Sequence, residues 1–262
     1  MQNETPLIKV FIENAGKYSE GKTTGTSHTF PTTPEALART LEKIGIDGKN
    51  YEEWFIADYS TDIDGIKIGQ FDSLDSINYL ANKLVENESI DIKGLESILD
   101  YYDNDSVEGI INLLEDDNID CFHVYDDIHD EEEYGRYLIE ETGKFDTSVM
   151  GELAEYIDYE SYGRDMSLNE SSRFTNGGYV LKVGNVTNVF DGINVPEEYQ
   201  VTRQALSINK EKEQERRESP AVSSTKNSII GRIEADRNAK KSTPEKNEPT
   251  PKKSKINENE IE

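Results

Sequence analysis

Carboxylates are the side chains most able to do chemistry in this chain, and they crowd residues 100–160. An Asp or Glu recurs there every two or three positions, between short apolar groups such as Ile110, Ile111, Leu113 and Leu114. Residues 101–150 hold 16 Asp and Glu against two bases, Arg136 and Lys144. Such groups could work as an acid–base pair on a glycoside, hold a hard cation, or present an anionic field to a basic partner. Glycoside chemistry is not marked: with 54 acids in the chain, some pair falls ~5–10 Å apart in any fold. A sugar groove would also use several aromatic platforms, and Trp54 is the only tryptophan. Asp103-Asn104-Asp105 opens like a calcium loop, but Glu108 stands where the sixth position needs glycine, and the closing Glu is missing. Cys121, His123 and His129 lack the paired spacing of a zinc site. Phosphate-binding glycine loops and a nucleophile elbow are absent too. No catalytic residue, metal or cofactor is assigned, and the chain reads as a non-enzyme.

The field therefore carries the functional reading. Net charge is −26, unevenly placed: residues 1–50 are neutral, 51–200 carry 37 acids against eight bases, and 201–262 carry 11 acids against 14 bases. A fully disordered acidic tail would lack the interleaved apolar groups, so the acids are expected on folded structure. Solubility alone asks for a net charge of roughly 2–8 in magnitude. Duplex DNA carries one charge per ~1.7 Å of axis, so a net −29 corresponds to roughly 50 Å of duplex, or about 15 base pairs. Such a surface repels nucleic acid and attracts proteins that bind it. On local charge density and helical periodicity, the expected phosphate mimics are Asp103, Asp105, Glu108, Glu115, Asp116, Asp117, Asp120, Asp126, Asp127, Asp130, Glu131, Glu132, Glu133, Glu140 and Glu141.

The elements that must position them read as an α+β chain. Leu7 to Glu13, Thr26 to Phe30 and Tyr51 to Tyr59 have strand composition, with a loop from Asn14 to Gly21. Thr33-Pro34-Glu35 opens a helix. From Ser73 to Glu115 the apolar period turns helical, predicting three or four short helices, each with a narrow apolar stripe and an acidic outer face. Asp105 with Glu108 reads as a capping pair. Cys121 to Tyr125 reads as a strand and Asp130 to Glu141 as a helix. Thr147 to Tyr159 reads as a second helix with Met150, Leu153, Ala154 and Ile157 inward. A hairpin turns at Asn176-Gly177. The packed body is expected to end near Val183; residues 184–200 are ambiguous, since Val186, Val189, Phe190, Ile193 and Val195 could cap the last sheet, and beyond Gln200 a disordered, slightly basic tail reads as carrying one helix, Asn227 to Lys240. The lone Cys121 fits a reducing cytoplasm, and no apolar run approaches the ~20 residues of a membrane span.

Several segments then resemble the ArdA-type antirestriction proteins: KVFIENAGKYSEGKTTGTSHTFP, YEEWFIADYS, TNGGYVLKV and, above all, YLIEETGKFDTSVMGELAEYIDYESYGRDM at 137–166. They are collinear over about residues 5–185. The resemblance implies an elongated chain of three small domains, placed here at 1–62 (sheet plus helix), 63–117 (acidic helices) and 118–185 (mixed), followed by linker and tail at 186–262. It implies a cytoplasmic homodimer joined through the third domain, with Tyr156, Ile157, Tyr159, Tyr162 and Met166 as contacts. It implies a mimic of duplex DNA that occupies the DNA-binding groove of Type I restriction-modification enzymes and protects incoming mobile-element DNA, without binding nucleic acid or membrane itself. An acidic adaptor for some other basic DNA-binding protein is the alternative.

Overall fold

The computed structural model describes residues 8–87, 91–102 and 106–218. The chain is α+β, with two small antiparallel sheets. Strand β1 (Ile8–Asn14) buries Ile8, Val10 and Ile12 on one face, as strand alternation requires. Asn14 then accepts the Lys17 N–H at 2.9 Å and donates to the Ile44 carbonyl at 3.2 Å. This cap turns the next residues into a short helix, α1 (Ala15–Ser19), where a loop was expected. Strand β2 (Gly25–Phe30) leads to α2 (Pro34–Ile44), capped by Thr33, which lays Leu37, Ala38, Leu41 and Ile44 into the core. Strand β3 (Trp54–Thr61) completes the sheet in the order β2-β1-β3.

The helical segment has three members: α3 (Leu74–Glu86), α4 (Ile92–Tyr101) and α5 (Val107–Leu114). The α5 cap is Ser106, whose Oγ accepts from Gly109 N at 3.1 Å; Asp105 lies outside the described residues. The expected narrow stripe also fails for α5. Every residue of it but Glu108 is buried, because the helix is covered by α3 and by the chain around Phe190.

The third segment holds β4 (Phe122–Tyr125), α6 (Glu131–Arg136) continuing as a wider π turn over Tyr137–Glu141, α7 (Tyr159–Ser167), β5 (Ser172–Thr175) and β6 (Gly178–Lys182), in sheet order β4-β6-β5. The helix expected over 147–159 is not α-helical. Thr147–Tyr156 forms 3₁₀ turns broken at Gly151, whose φ of 55° and ψ of −131° leave the helical region. It buries no residue, so Met150 and Leu153 face outward rather than inward.

Two apolar clusters result. The larger runs from β1 through α2, α3, α4 and α5 to Phe122 and Val180, so the first two expected segments share one core with the edge of the third. The smaller gathers Ile128, Tyr134 and Tyr179.

Packing does not stop near Val183. Phe190, Val195, Val201 and Ala205 are buried, and Thr202–Glu218 is a helix, α8, where linker and disordered tail were expected. Buried amides secure this strap. Asn112 accepts from Val189 N and Phe190 N at 2.7 and 2.8 Å and donates to the Phe190 carbonyl at 2.9 Å. Asn209 donates to the Ala38 carbonyl of α2 at 2.8 Å. Tyr199 stacks on Tyr79 with centroids 4.5 Å apart. The expected helix at 227–240 lies outside the described residues.

Candidate functional site

The anionic residues are carried by a tight turn after α5 and by α6. Asp116 and Asp117 adopt φ of 48° and 56°, a left-handed conformation that Asp tolerates better than most side chains. The turn is closed by Asn118 N to Glu115 O and Asp120 N to Asp117 O, both 2.9 Å. Beneath it the buried Asn118 side chain donates to Asn112 O at 2.7 Å and Thr187 O at 2.9 Å. Exposed carboxylates thus project from an anchored backbone.

At α6, the N-cap Asp130 accepts the Glu133 N–H at 2.9 Å and Glu133 accepts the N–H of His129, the residue before the cap, at 2.7 Å, and the two bonds fix the helix start. Glu131, Glu132 and Glu133 occupy the first turn, where the helix dipole favours negative charge. Arg136 does not neutralise the face broadly. It lies 3.1 Å from Glu132 and 3.5 Å from Glu140, over the Tyr159 ring at 4.4 Å, while Tyr159 donates to the same Glu140. That bond, with some burial, raises the Tyr159 pKa.

The support under α6 is phenolic. The Tyr134 and Tyr179 rings lie 4.2 Å apart, and their hydroxyls donate to one Glu170 oxygen at 2.6 and 3.0 Å. Burial raises both hydroxyl pKa values, that of Tyr179 to about 12. Helix α7 crosses α6 at two glycines. A Cβ on Gly135 would strike the Tyr159 carbonyl, and one on Gly163 the Glu131 carbonyl. The contact is symmetric, each glycine meeting the carbonyl four residues before the other. The sequence shows it as a repeated Tyr-Gly-Arg, at 134–136 and 162–164, each Arg paired with the Glu four residues earlier.

Of the expected mimics, Glu108, Asp116, Asp117, Asp120, Asp126, Asp127, Asp130, Glu132, Glu133, Glu140 and Glu141 are exposed, and Glu131 is half-buried. Glu115 stands apart. It is half-buried, 2.8 Å from Lys83 Nζ, and bonded to the Tyr79 hydroxyl. Asp103 and Asp105 lie outside the described residues. Of the expected dimer contacts, Tyr156 is 83% exposed, while Ile157, Tyr159, Tyr162 and Met166 are half-buried. Met166 packs on the tyrosine cluster, and Tyr162 meets Phe145 edge-on at 5.9 Å. Val149, at 80% exposed, and Leu153 share the outward segment with Tyr156. Sequence reading placed Leu153 inward and passed over Val149 by treating 147–159 as one amphipathic helix, and Gly151 was the available signal.

Among the described residues, no three His, Cys, Asp or Glu side chains are grouped to hold a metal, and no helix is long and apolar enough to cross a membrane. No curated protein matches the chain. A family model does: the one described as antirestriction protein (ArdA), over residues 10–181.

Proposed function

Because the chain belongs to the ArdA antirestriction family, we propose that its anionic face stands in for the phosphates of duplex DNA and occupies the DNA-binding groove of a Type I restriction-modification enzyme. The protein acts by occupancy, without turnover, and so shields incoming unmodified mobile-element DNA. The observation that carries this reading is the anchored charge between α5 and the end of the π turn, which among the described residues is ion-paired from outside that stretch only at Glu115, by Lys83. Residues 107–141 hold 13 Asp and Glu against one Arg, and that Arg is already shared between Glu132 and Glu140. A net −12 matches the charge on roughly 20 Å of duplex. Fixed backbone positions matter because a flexible polyanion would lose ordering entropy on binding. The exposed Val149 and Leu153, on the same segment as Tyr156, add apolar surface to the family-implied contacts Tyr156, Ile157, Tyr159, Tyr162 and Met166 for a second copy, and a two-fold dimer doubles the charged length.

The test is inhibition of a purified Type I enzyme with duplex DNA as competitor. Competition with DNA that weakens as salt is raised supports groove occupancy. Tight binding that leaves DNA binding untouched refutes it, and returns the protein to an adaptor role.

A further inference from the structure

A separate cleft lies beside the first sheet. A cavity of about 620 Å³ opens between α1, β3 and the start of α3, lined by Tyr18, Trp54, Phe55 and Phe71 with Glu52 and Glu53. Phe71 is 82% exposed and Tyr18 58%. The backbone that presents them is held in place. Gln70 O accepts the Ile56 N–H at 2.9 Å, and Asp72 accepts the Gly69 N–H at 2.7 Å, which fixes the turn that presents Phe71. Tyr18 meets Phe55 edge-on at 5.3 Å. Glu52 and Glu53 are exposed and form no ion pair among the described residues. The cavity wall also includes Thr202, from the strap beyond the family-matched region. Asp75, which accepts the Val201 and Thr202 N–H groups at 2.7 and 2.8 Å, fixes that side.

Four aromatic side chains beside two carboxylates without an ion pair among the described residues form a site complementary to a cation with an apolar stem. Planar guanidinium groups stack on aromatic rings and bond carboxylates, and their stems cover apolar surface. We propose that this cleft binds an arginine-containing basic segment of a partner protein. The binding is independent of groove occupancy, because its residues belong to other elements and its occupant is a peptide rather than a DNA-shaped channel.

Trp54, the only tryptophan, lines the cleft and reports on it locally. The experiment titrates the full chain with the capped peptide Gly-Arg-Leu-Arg-Gly and follows tryptophan emission, at enough salt to screen the field of the whole protein. A saturable change is expected, weakened about tenfold in the double variant Glu52→Gln, Glu53→Gln and comparably in Phe71→Ala. All three positions are exposed, so the variants keep the fold. No saturable change, an equal response to the peptide with Glu in place of Arg, or undiminished binding by both variants overturns the proposal.

Discussion

The two cores of this protein are held by different forces. The larger is aliphatic: Ile8, Val10, Leu41, Leu80, Ile110 and Ile111 exclude water, and buried asparagines such as Asn112 satisfy the irregular backbone laid over them. The smaller is phenolic, with three buried members, of which Tyr134 and Tyr179 share the Glu170 carboxylate. A buried unpaired carboxylate is costly in an aliphatic core, and the larger core nonetheless admits Glu13, buried on β1, and Glu115, half-buried on the Tyr79 hydroxyl. A phenolic core supplies donors, so carboxylates can come down to its edge. The densest run of acids, Asp126 to Glu133, leads into the helix that rests on it. The α6 part of the charged surface therefore stands over the smaller core, where glycine contact between α6 and α7 replaces part of the apolar burial, while the turn at 115–120 stands at the edge of the larger core.

The widest separation between the two should come from Gly163→Val. The new side chain cannot share space with the Glu131 carbonyl, and overpacking of this kind costs about 3 kcal/mol. Hydrogen exchange should rise through α6 and α7 while α3 and α5 keep their protection; uniform loss across both regions would show that they unfold as one unit. Asn112→Ala attacks the other side. It strips partners from the Val189 and Phe190 N–H groups, at about 1–3 kcal/mol, and should raise exchange at 187–190 while α6 and α7 stay protected. The smallest effect is the pH response of the first core. Burial lowers the pKa of His28, which sits between Thr40 and Thr32 hydroxyls at 2.7 and 2.8 Å. Its folded pKa lies below the unfolded value, so its contribution is complete above the unfolded pKa and is lost as pH falls toward the folded one. Denaturant midpoints of a His28→Gln variant should therefore vary less than wild type between neutral and mildly acidic pH.

Local pattern made the first sheet, the α2 cap, the hairpin and the turn to helical periodicity legible, because each is written in neighbouring residues. The strap was not. Phe190, Val195, Val201 and Ala205 follow no period, and their burial depends on Asn112, Asn118 and Asn209 meeting backbone far away in the chain. Family resemblance could not supply it either, since the match ends at residue 181. Segment 147–156 failed for the opposite reason: a helical apolar period was present, but Gly151 breaks the helix that would have used it. At the candidate surface, charge density marked the acids, yet Glu115 could be set apart only once Lys83 was seen beside it.

The bond from Asn209 to Ala38 spans 171 positions, and this has a consequence for the order of events at the ribosome. The cover that Asn209 and Ala205 give the aliphatic core cannot be in place until α8 has been made. At synthesis rates of about 5–20 residues per second, that is roughly 10–30 s after α2 emerges. The tyrosine-based unit, whose elements all precede residue 183, is complete in sequence before then. In the nascent chain the acidic unit is thus the first to have all its parts, and the N-terminal sheet is the last to be sealed.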